Sequence, residues 1–329
     1  MKSSPGFLGS RAVVLEKMTT MYRKAELLNR IQLRQSTIKD WLSCPLMFRF
    51  RHVLQLAPSY RSLAAIHGST LHLCIHRLHL EGFDQDIQAL YANGLREIMD
   101  LESHIPIKWK SNELQDMAAL KLHGLELLEG YVGNQENHSC NLLFSEVRFR
   151  IRVKGLELTG TMDQVRQNPD GSIELVDLKS GMQRPIRRAL SRDWQLNLYA
   201  YALRYGEVFI GGSWVRSRIK VTRTSIYFLR AHEIYKRGGK YGKKGSQKGQ
   251  PLISCEIPSW QLRQFRLELE NIIKMMTKDW PFPNTASCGF CAFHDHCDDR
   301  LMMNMINKYD GVRHLIPNHE SQLLVKGEL

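Results

Sequence analysis

The stretch that most limits what this chain can fold into is Leu158–Gly181, LTGTMDQVRQNPDGSIELVDLKSG. Two strand-like runs flank Asn168-Pro169-Asp170-Gly171. Pro169 fixes φ at the second turn position, Asn168 and Asp170 suit a type I turn, and Gly171 can take the left-handed conformation that follows. A type I turn closed by a left-handed Gly is a three-residue hairpin loop with a bulge. Asn168 then pairs with Ser172, and every cross-strand pair has numbers adding to 340. That register sets Asp163 opposite Asp177 and Thr161 opposite Lys179. Alternation puts Asp177 and Lys179 on one face. Opposed Cβ atoms lie about 4.5–5.5 Å apart. The turn therefore places two carboxylates side by side with a lysine one pleat away. Like charges this close repel unless a cation stands between them. Carboxylate oxygens suit Mg²⁺ or Mn²⁺, and the lysine can polarise or deprotonate an attacking water. A solvated hairpin face held by an Asp–Lys ion pair accounts for the same residues, and the hairpin alone does not choose.

Charge narrows the class of partner. The chain of 329 residues carries a formal net charge of +13 and a pI near 9.5, which favours a polyanion. Between Ser213 and Gln250 there are eleven Lys/Arg against one acid, Glu233. No run of about 18 apolar residues is present to span a membrane, and the start lacks the continuous apolar segment of a signal peptide. An intracellular, unsecreted protein is expected. Residues 1–30, with six Lys/Arg and two Glu, read as a flexible basic arm, and residues after 300 as a polar tail.

Along the chain, residues 36–52 predict a short helix carrying Cys44, a turn at Pro45 and more helix. Residues 64–80 predict a helix with His72 and His76 on one face. Residues 84–133 are amphipathic helix broken near Ile105-Pro106. LLFSEVRFRIRV, from Leu142, alternates as a strand in which Glu146 is within reach of a metal but reads first as solvent-facing. Arg184, Arg187, Arg188 and Arg192 follow the hairpin. Trp194–Tyr205 predicts a helix that turns Gln195 and Tyr199 the same way. Strand-like runs at 208–215 and 222–230 precede a Gly/Lys loop, YKRGGKYGKKGSQKGQ. Its composition predicts non-sequence-specific contact with a nucleic-acid backbone through Lys236, Arg237, Lys240, Lys243 and Lys244. A helix from Ser259 to Trp280 leads to CGFCAFHDHC, where Cys288, Cys291 and Cys297 form C-x2-C-x5-C. Three thiols this close in a reducing compartment point to a metal. The fourth ligand is His294 or His296 for zinc, or the distant Cys44 for an iron–sulfur cluster, and spacing leaves these open.

Taken together, these residues resemble the PD-(D/E)XK nuclease superfamily, in its RecB/AddB-like branch with an iron–sulfur cluster, which includes Cas-type exonucleases. The resemblance covers roughly residues 36–300. GSTLH matches the helical G-x-x-x-H motif and implies His72 as a metal ligand. GTMD and ELVDLKS match the acid and D-x-K motifs, implying Asp163 and Asp177 as ligands and Lys179 as the catalytic lysine. QLNLY matches Q-x-x-x-Y, implying that Gln195 and Tyr199 orient the lysine and the substrate phosphate. Cys44 with Cys288, Cys291 and Cys297 matches the split ligand set of a 4Fe–4S cluster, with zinc as the alternative. The implied fold is α/β, a mixed central β-sheet flanked by helices (a restriction-endonuclease-like core). A helical insert over 84–140 and an Fe–S-stapled subdomain from 36–52 and 281–300 belong to a nuclease domain of 31–300. The implied activity is Mg²⁺- or Mn²⁺-dependent hydrolysis of DNA with single-stranded character, by an exonuclease of recombination, repair or DNA processing. Arg184, Arg187 and Arg188, directly after Lys179, suit phosphates near the site or a solvated loop, and a helicase or recombination protein is the implied partner. The competing expectations are a non-catalytic nucleic-acid-binding module on the same scaffold and a zinc-containing transcription or assembly factor.

Overall fold

The computed structural model describes residues 33–109, 114–232, 249–276 and 282–297. They gather into two compact units, one from Met1–Lys39 and Tyr60–Asp279, the other from Asp40–Ser59 and Trp280–Leu329. In chain order the elements are β1 (Leu33–Arg34), α1 (Gln35–Ser43), α2 (Pro45–Phe48), β2 (Arg61–Ser62), α3 (Leu63–Glu81), α4 (Ile87–Asp100), β3 (Ile107–Lys108), α5 (Met117–Gly133), α6 (Gln135–Ser139), β4 (Asn141–Val153) and β5 (Leu156–Gln167). There follow β6 (Ile173–Lys179), α7 (Arg187–Leu190), α8 (Trp194–Tyr205), β7 (Glu207–Ile210), β8 (Ser213–Arg216), β9 (Val221–Phe228), β10 (Leu252–Glu256) and α9 (Ser259–Met276). The basic arm, the C-terminal tail and the loop residues Lys236, Arg237, Lys240, Lys243 and Lys244 lie outside the described residues.

The larger unit is built on an eight-stranded mixed sheet, ordered β10-β9-β6-β5-β4-β7-β8 with β1 beside β5. Most neighbours are antiparallel, while β6–β9 and β1–β5 run parallel. Helices start where the sequence offers a cap. Asp86, Asp116 and Asp193 each accept first-turn amide protons, of α4, α5 and α8 respectively, satisfying donors that the helix itself leaves orphaned. The run read as one strand over 208–215 is a tight hairpin, because Gly211 and Gly212 take φ of +57° and +81°. Two successive left-handed residues make the turn that matches the twist of a two-residue hairpin.

One face of β6 and β9 packs against α3, α4 and α5. Leu71, Cys74, Ile75 and Leu78 meet Leu90, Tyr91, Leu120, Leu127, Leu128 and Tyr131 over Val176, Leu178 and Tyr227. Each fully buried aliphatic side chain here contributes about 1.5–3 kcal/mol. The segment over 84–140, read from the sequence as an insert, thus supplies one wall of the core. Close approach requires Gly124, since a Cβ there would lie 2.0 Å from the Tyr91 hydroxyl. On β4 and β5 a second layer forms with α8 and α9, where Phe149 meets Tyr199 edge-on at 5.5 Å and Phe265 stacks with Trp194 and Tyr201. No helix among the described residues is long and apolar enough to cross a membrane.

In the smaller unit, Cys44 sits in extended backbone (φ −162°, ψ 110°) between α1 and α2, with Pro45 opening the next helix. Asn284 Nδ2 and Ser287 Oγ both donate to the Ser43 carbonyl at 2.8 Å. Ser59 donates its amide to the Ala292 carbonyl at 2.7 Å. The chain around Cys44 and the chain from Cys288 to Cys297 are therefore laced together.

Candidate active site

The hairpin folds as its turn residues dictate. Asn168 N donates to Ser172 O at 2.8 Å, Gly171 N to Asn168 O at 2.9 Å, and Gly171 has φ +81°. The pairs Gln167–Ile173, Arg166–Glu174, Val165–Leu175 and Gln164–Val176 keep the expected register. The ladder stops there. Asp163 Oδ2 accepts the Leu178 amide at 2.7 Å, which takes that donor out of the sheet. Past this point β6 follows β9, with Lys179 opposite Phe228, and Thr161 pairs with Arg148 of β4. The expected Thr161–Lys179 opposition is therefore replaced by an opening between β5 and β6.

His72 of α3 reaches into that opening. Its Nε2 lies 3.1 Å from the Leu178 carbonyl, which can only accept, so Nε2 carries the proton. The carbonyl after Asp177 thus serves to orient the imidazole. Nδ1 faces two carboxylates, Glu146 Oε1 at 3.4 Å and Asp163 Oδ1 at 3.5 Å. His72, Glu146 and Asp163 offer three ligand atoms within 4.8 Å of one another. Burial opposes a charge on His72, but Asp163 and then Glu146 more than offset it and hold the imidazole well above its usual range.

Glu146, for which the sequence favours a solvent-facing position over a metal-facing one, stands beside His72. Lys154 and Gly155, at φ +51° and +79°, turn β4 into β5 through a two-residue loop, pairing Val153 with Leu156. That register carries through Val147–Met162 and Ser145–Gln164 and leaves Glu146 and Asp163 opposite each other, out of the ladder. Glu146 has φ +50°, a left-handed conformation that costs a non-glycine residue roughly 1–2 kcal/mol. A second application of turn arithmetic, to Lys154-Gly155, sets it opposite Asp163.

Beside this group, α8 and β6 hold a second one. Lys179 Nζ lies 2.7 Å from Asp177 Oδ2 and donates to Gln195 Oε1 at 3.2 Å. Gln195 Nε2 donates to Asp177 Oδ1 at 2.7 Å and to the Tyr199 hydroxyl at 2.9 Å. The ammonium of Lys179 is thus the one group that meets the buried Asp177 Oδ2 among the described residues. Burial pushes the Asp177 carboxyl up to about 6, against the pull of Lys179 and with the repulsion of Asp163. Burial opposes the charge on Lys179 too, but Asp177 outweighs it and holds the ammonium above its usual range. The pair is ionised at neutral pH. Burial, then Asp177 and Asp163, push the Tyr199 phenol far up, so it stays protonated.

The donor chemistry fits a divalent cation. A metal-bound histidine typically gives its other ring N–H to a backbone carbonyl, as His72 does. The concentrated negative charge that draws a proton onto His72 would draw a metal, and a nitrogen among the oxygens suits Mn²⁺ better than Mg²⁺. Asp177 stands outside the three-residue group, with Lys179 on its Oδ2 and Gln195 on its Oδ1. Lys39, Gly68, Ser69, His72, Glu146 and Lys179 line a cleft of about 660 Å³ over these groups.

Of the arginines expected to meet phosphate, Arg187 and Arg188 are exposed on α7, while Arg184 donates to the Gln250 carbonyl at 2.6 Å and lies over the Phe228 ring. In the smaller unit the Cys44 sulfur accepts the Asn284 amide and the Cys291 sulfur accepts the Phe293 amide, both at 3.4 Å. Among the described residues no cysteine group closes to the mutual distances of one ion's ligands. His294 pairs with Asp295 at 2.9 Å, and the His296 ring lies 6.3 Å from Phe50.

No curated protein sequence matches the chain. Among solved structures, a candidate exonuclease of Eubacterium rectale is similar over 89% of this chain and 93% of its own, with 11% identity and a TM-score of 0.45. The protein SSO0001 is similar over 81% and 96%, with 13% identity and a TM-score of 0.32. A family model matches residues 32–298, a span that holds the opened hairpin, His72, Lys179 and Gln195 alike. By that match the chain belongs to the PD-(D/E)XK nuclease superfamily.

Proposed function

We propose that the chain is a metal-dependent DNA exonuclease of the RecB/AddB-like branch, acting in recombination, repair or DNA processing. The observation that carries this is the meeting of Lys179, Asp177 and Gln195 with the His72–Glu146–Asp163 group at one opening in the sheet. His72, Glu146, Asp163 and Asp177 would hold Mg²⁺ or Mn²⁺. When bound, such an ion polarises a phosphate and lowers the pKa of water. Gln195 and Tyr199 fix the Lys179 ammonium, which hydrogen-bonds the attacking water or steadies the charge that develops on phosphate. Arg187 and Arg188 meet phosphates next to the site. The non-catalytic alternative leaves this arrangement of buried charge without a use. End-labelled linear and circular DNA, single- and double-stranded, tests the reading. Linear DNA is expected to shorten from its ends with Mn²⁺ or Mg²⁺ and to stay intact with chelator. Intact DNA under all metal conditions would overturn it.

We further propose that Cys44, Cys288, Cys291 and Cys297 hold a 4Fe–4S cluster that staples their two chain segments. Amides aimed at two of the four sulfurs support it, since hydrogen bonds to cluster sulfurs are a usual part of such sites. Cysteines that surround four irons stand farther apart than those around one zinc. The engagement of His294 with Asp295 leaves Cys44 as the better fourth ligand. Protein purified without oxygen should be brown, with about four irons per chain, and stoichiometric zinc without iron would refute the cluster.

A further inference from the structure

On β4, Val147, Phe149, Ile151 and Val153 are buried, and the alternate residues Arg148, Arg150 and Arg152 form a row on the opposite face. The register extends this row across two more strands. Arg150 pairs with Glu207 and Glu207 with Arg216, while Phe209 pairs with Trp214 in the neighbouring row. The Arg148 guanidinium lies 4.0 Å over Phe209 and 6.0 Å from Trp214, and that of Arg150 lies 4.7 Å over Trp214. Arg150 is paired with Glu207 at 2.5 Å and Glu157 at 3.8 Å. Arg152 and Arg216 are exposed and make no ion pair within 4 Å among the described residues, although the register sets Glu157 opposite Arg152 and Glu207 opposite Arg216, and Arg148 lies against ring faces.

A ring face holds a guanidinium in place without cancelling its charge, as a carboxylate would. The patch thus carries four positioned arginines against two carboxylates, Glu157 and Glu207, a net positive charge around an indole. Arg150, Arg152, Arg216 and Arg266 also border a cavity of about 530 Å³ together with the carboxylates of Glu207 and Glu270, within the size range of a pocket for a small ligand group. Successive row positions on a strand lie about 7 Å apart, and Arg148 comes two residues after Glu146.

We propose that this sheet face binds a single strand of nucleic acid, with phosphates on Arg148, Arg152 and Arg216 and a base stacked at Trp214. Cationic grooves with aromatic platforms suit unpaired bases, whose π faces a duplex keeps buried. The proposal rests on the nuclease reading for its ligand class and adds a second contact region along the strand that carries Glu146.

The test is fluorescence anisotropy of a labelled thymidine oligomer with chelator present, so that nothing is cut, across a salt series. The double variant R152E/R216E should bind more weakly, and its slope of log affinity against log salt should fall by about 1.4, at roughly 0.7 for each lost phosphate contact. W214A should weaken binding by about 5- to 150-fold, with melting curves confirming that each variant is folded. Wild-type affinity and slope in both variants would overturn the proposal and leave the nuclease reading standing. Equal competition by a blunt duplex or by polyglutamate would overturn the single-strand assignment. Wild-type protein that neither binds the oligomer nor cuts DNA with Mn²⁺ would instead overturn the nuclease reading itself.

Discussion

Lys179→Ala should slow DNA cleavage by about 10²–10⁴-fold while the protein still binds its substrate. The side chain touches Asp177 and Gln195 and is about a third exposed, at 35%, so its loss opens no core cavity. Asp177 loses its counter-charge, but burial already pushes that carboxyl toward the neutral form, and protonation limits the damage to the fold. Asp177→Ala should have the same effect on cleavage, because it removes both the anchor of Lys179 and a metal donor. Single-turnover cleavage with Mn²⁺ and oligomer binding with chelator separate the two properties. Cleavage at the wild-type rate in either variant would sink the assignment.

The second large effect is expected at Glu146. Glu146→Gln keeps the shape and removes the charge. It should weaken Mn²⁺ binding by no less than the roughly 10–100-fold typical of outer-shell changes, with cleavage falling alongside. A companion variant separates function from fold. Glu146→Gly releases the left-handed strain at φ +50°, so it should hold or raise the melting temperature while cleavage is lost. Calorimetric titration with Mn²⁺ and a thermal melt measure the two sides. Unchanged metal affinity in Glu146→Gln would return this residue to the solvent-facing role that its strand pattern suggests.

Much of the site could be read from residue order. Asn168-Pro169-Asp170-Gly171 specified its turn, and the turn specified the register as far as Gln164–Val176. Local signals of this kind survive because turn chemistry acts within four residues. The opening beyond Val176 could not be read, since it depends on Asp163 capturing the Leu178 amide and on His72 arriving from α3, 106 positions earlier in the chain than its partner Leu178. Glu146 reads first as solvent-facing for a different reason. Strand alternation groups it with the exposed Arg148 and Arg150, and only its left-handed backbone turns it toward His72. The packing of the helices over 84–140 could not be read, because amphipathic periodicity tells which face is buried but not against what. Their partners, Val176, Leu178 and Tyr227, lie far along the sequence.

Leu178 contributes no side-chain chemistry, yet both polar groups of its backbone are claimed by site residues, the amide by Asp163 and the carbonyl by His72. The last pleat before Lys179 is thus held partly by the functional side chains themselves. Substituting one of them loosens the peptide that positions the lysine as well as deleting a ligand. Costs of paired substitutions among His72, Asp163 and Lys179 should therefore fall short of the sum of the single ones, as is usual for residues that share a network. For a lineage drifting away from this chemistry, the first loss is the steep step and later ones come cheaply, so these residues are expected to persist or vanish as a set.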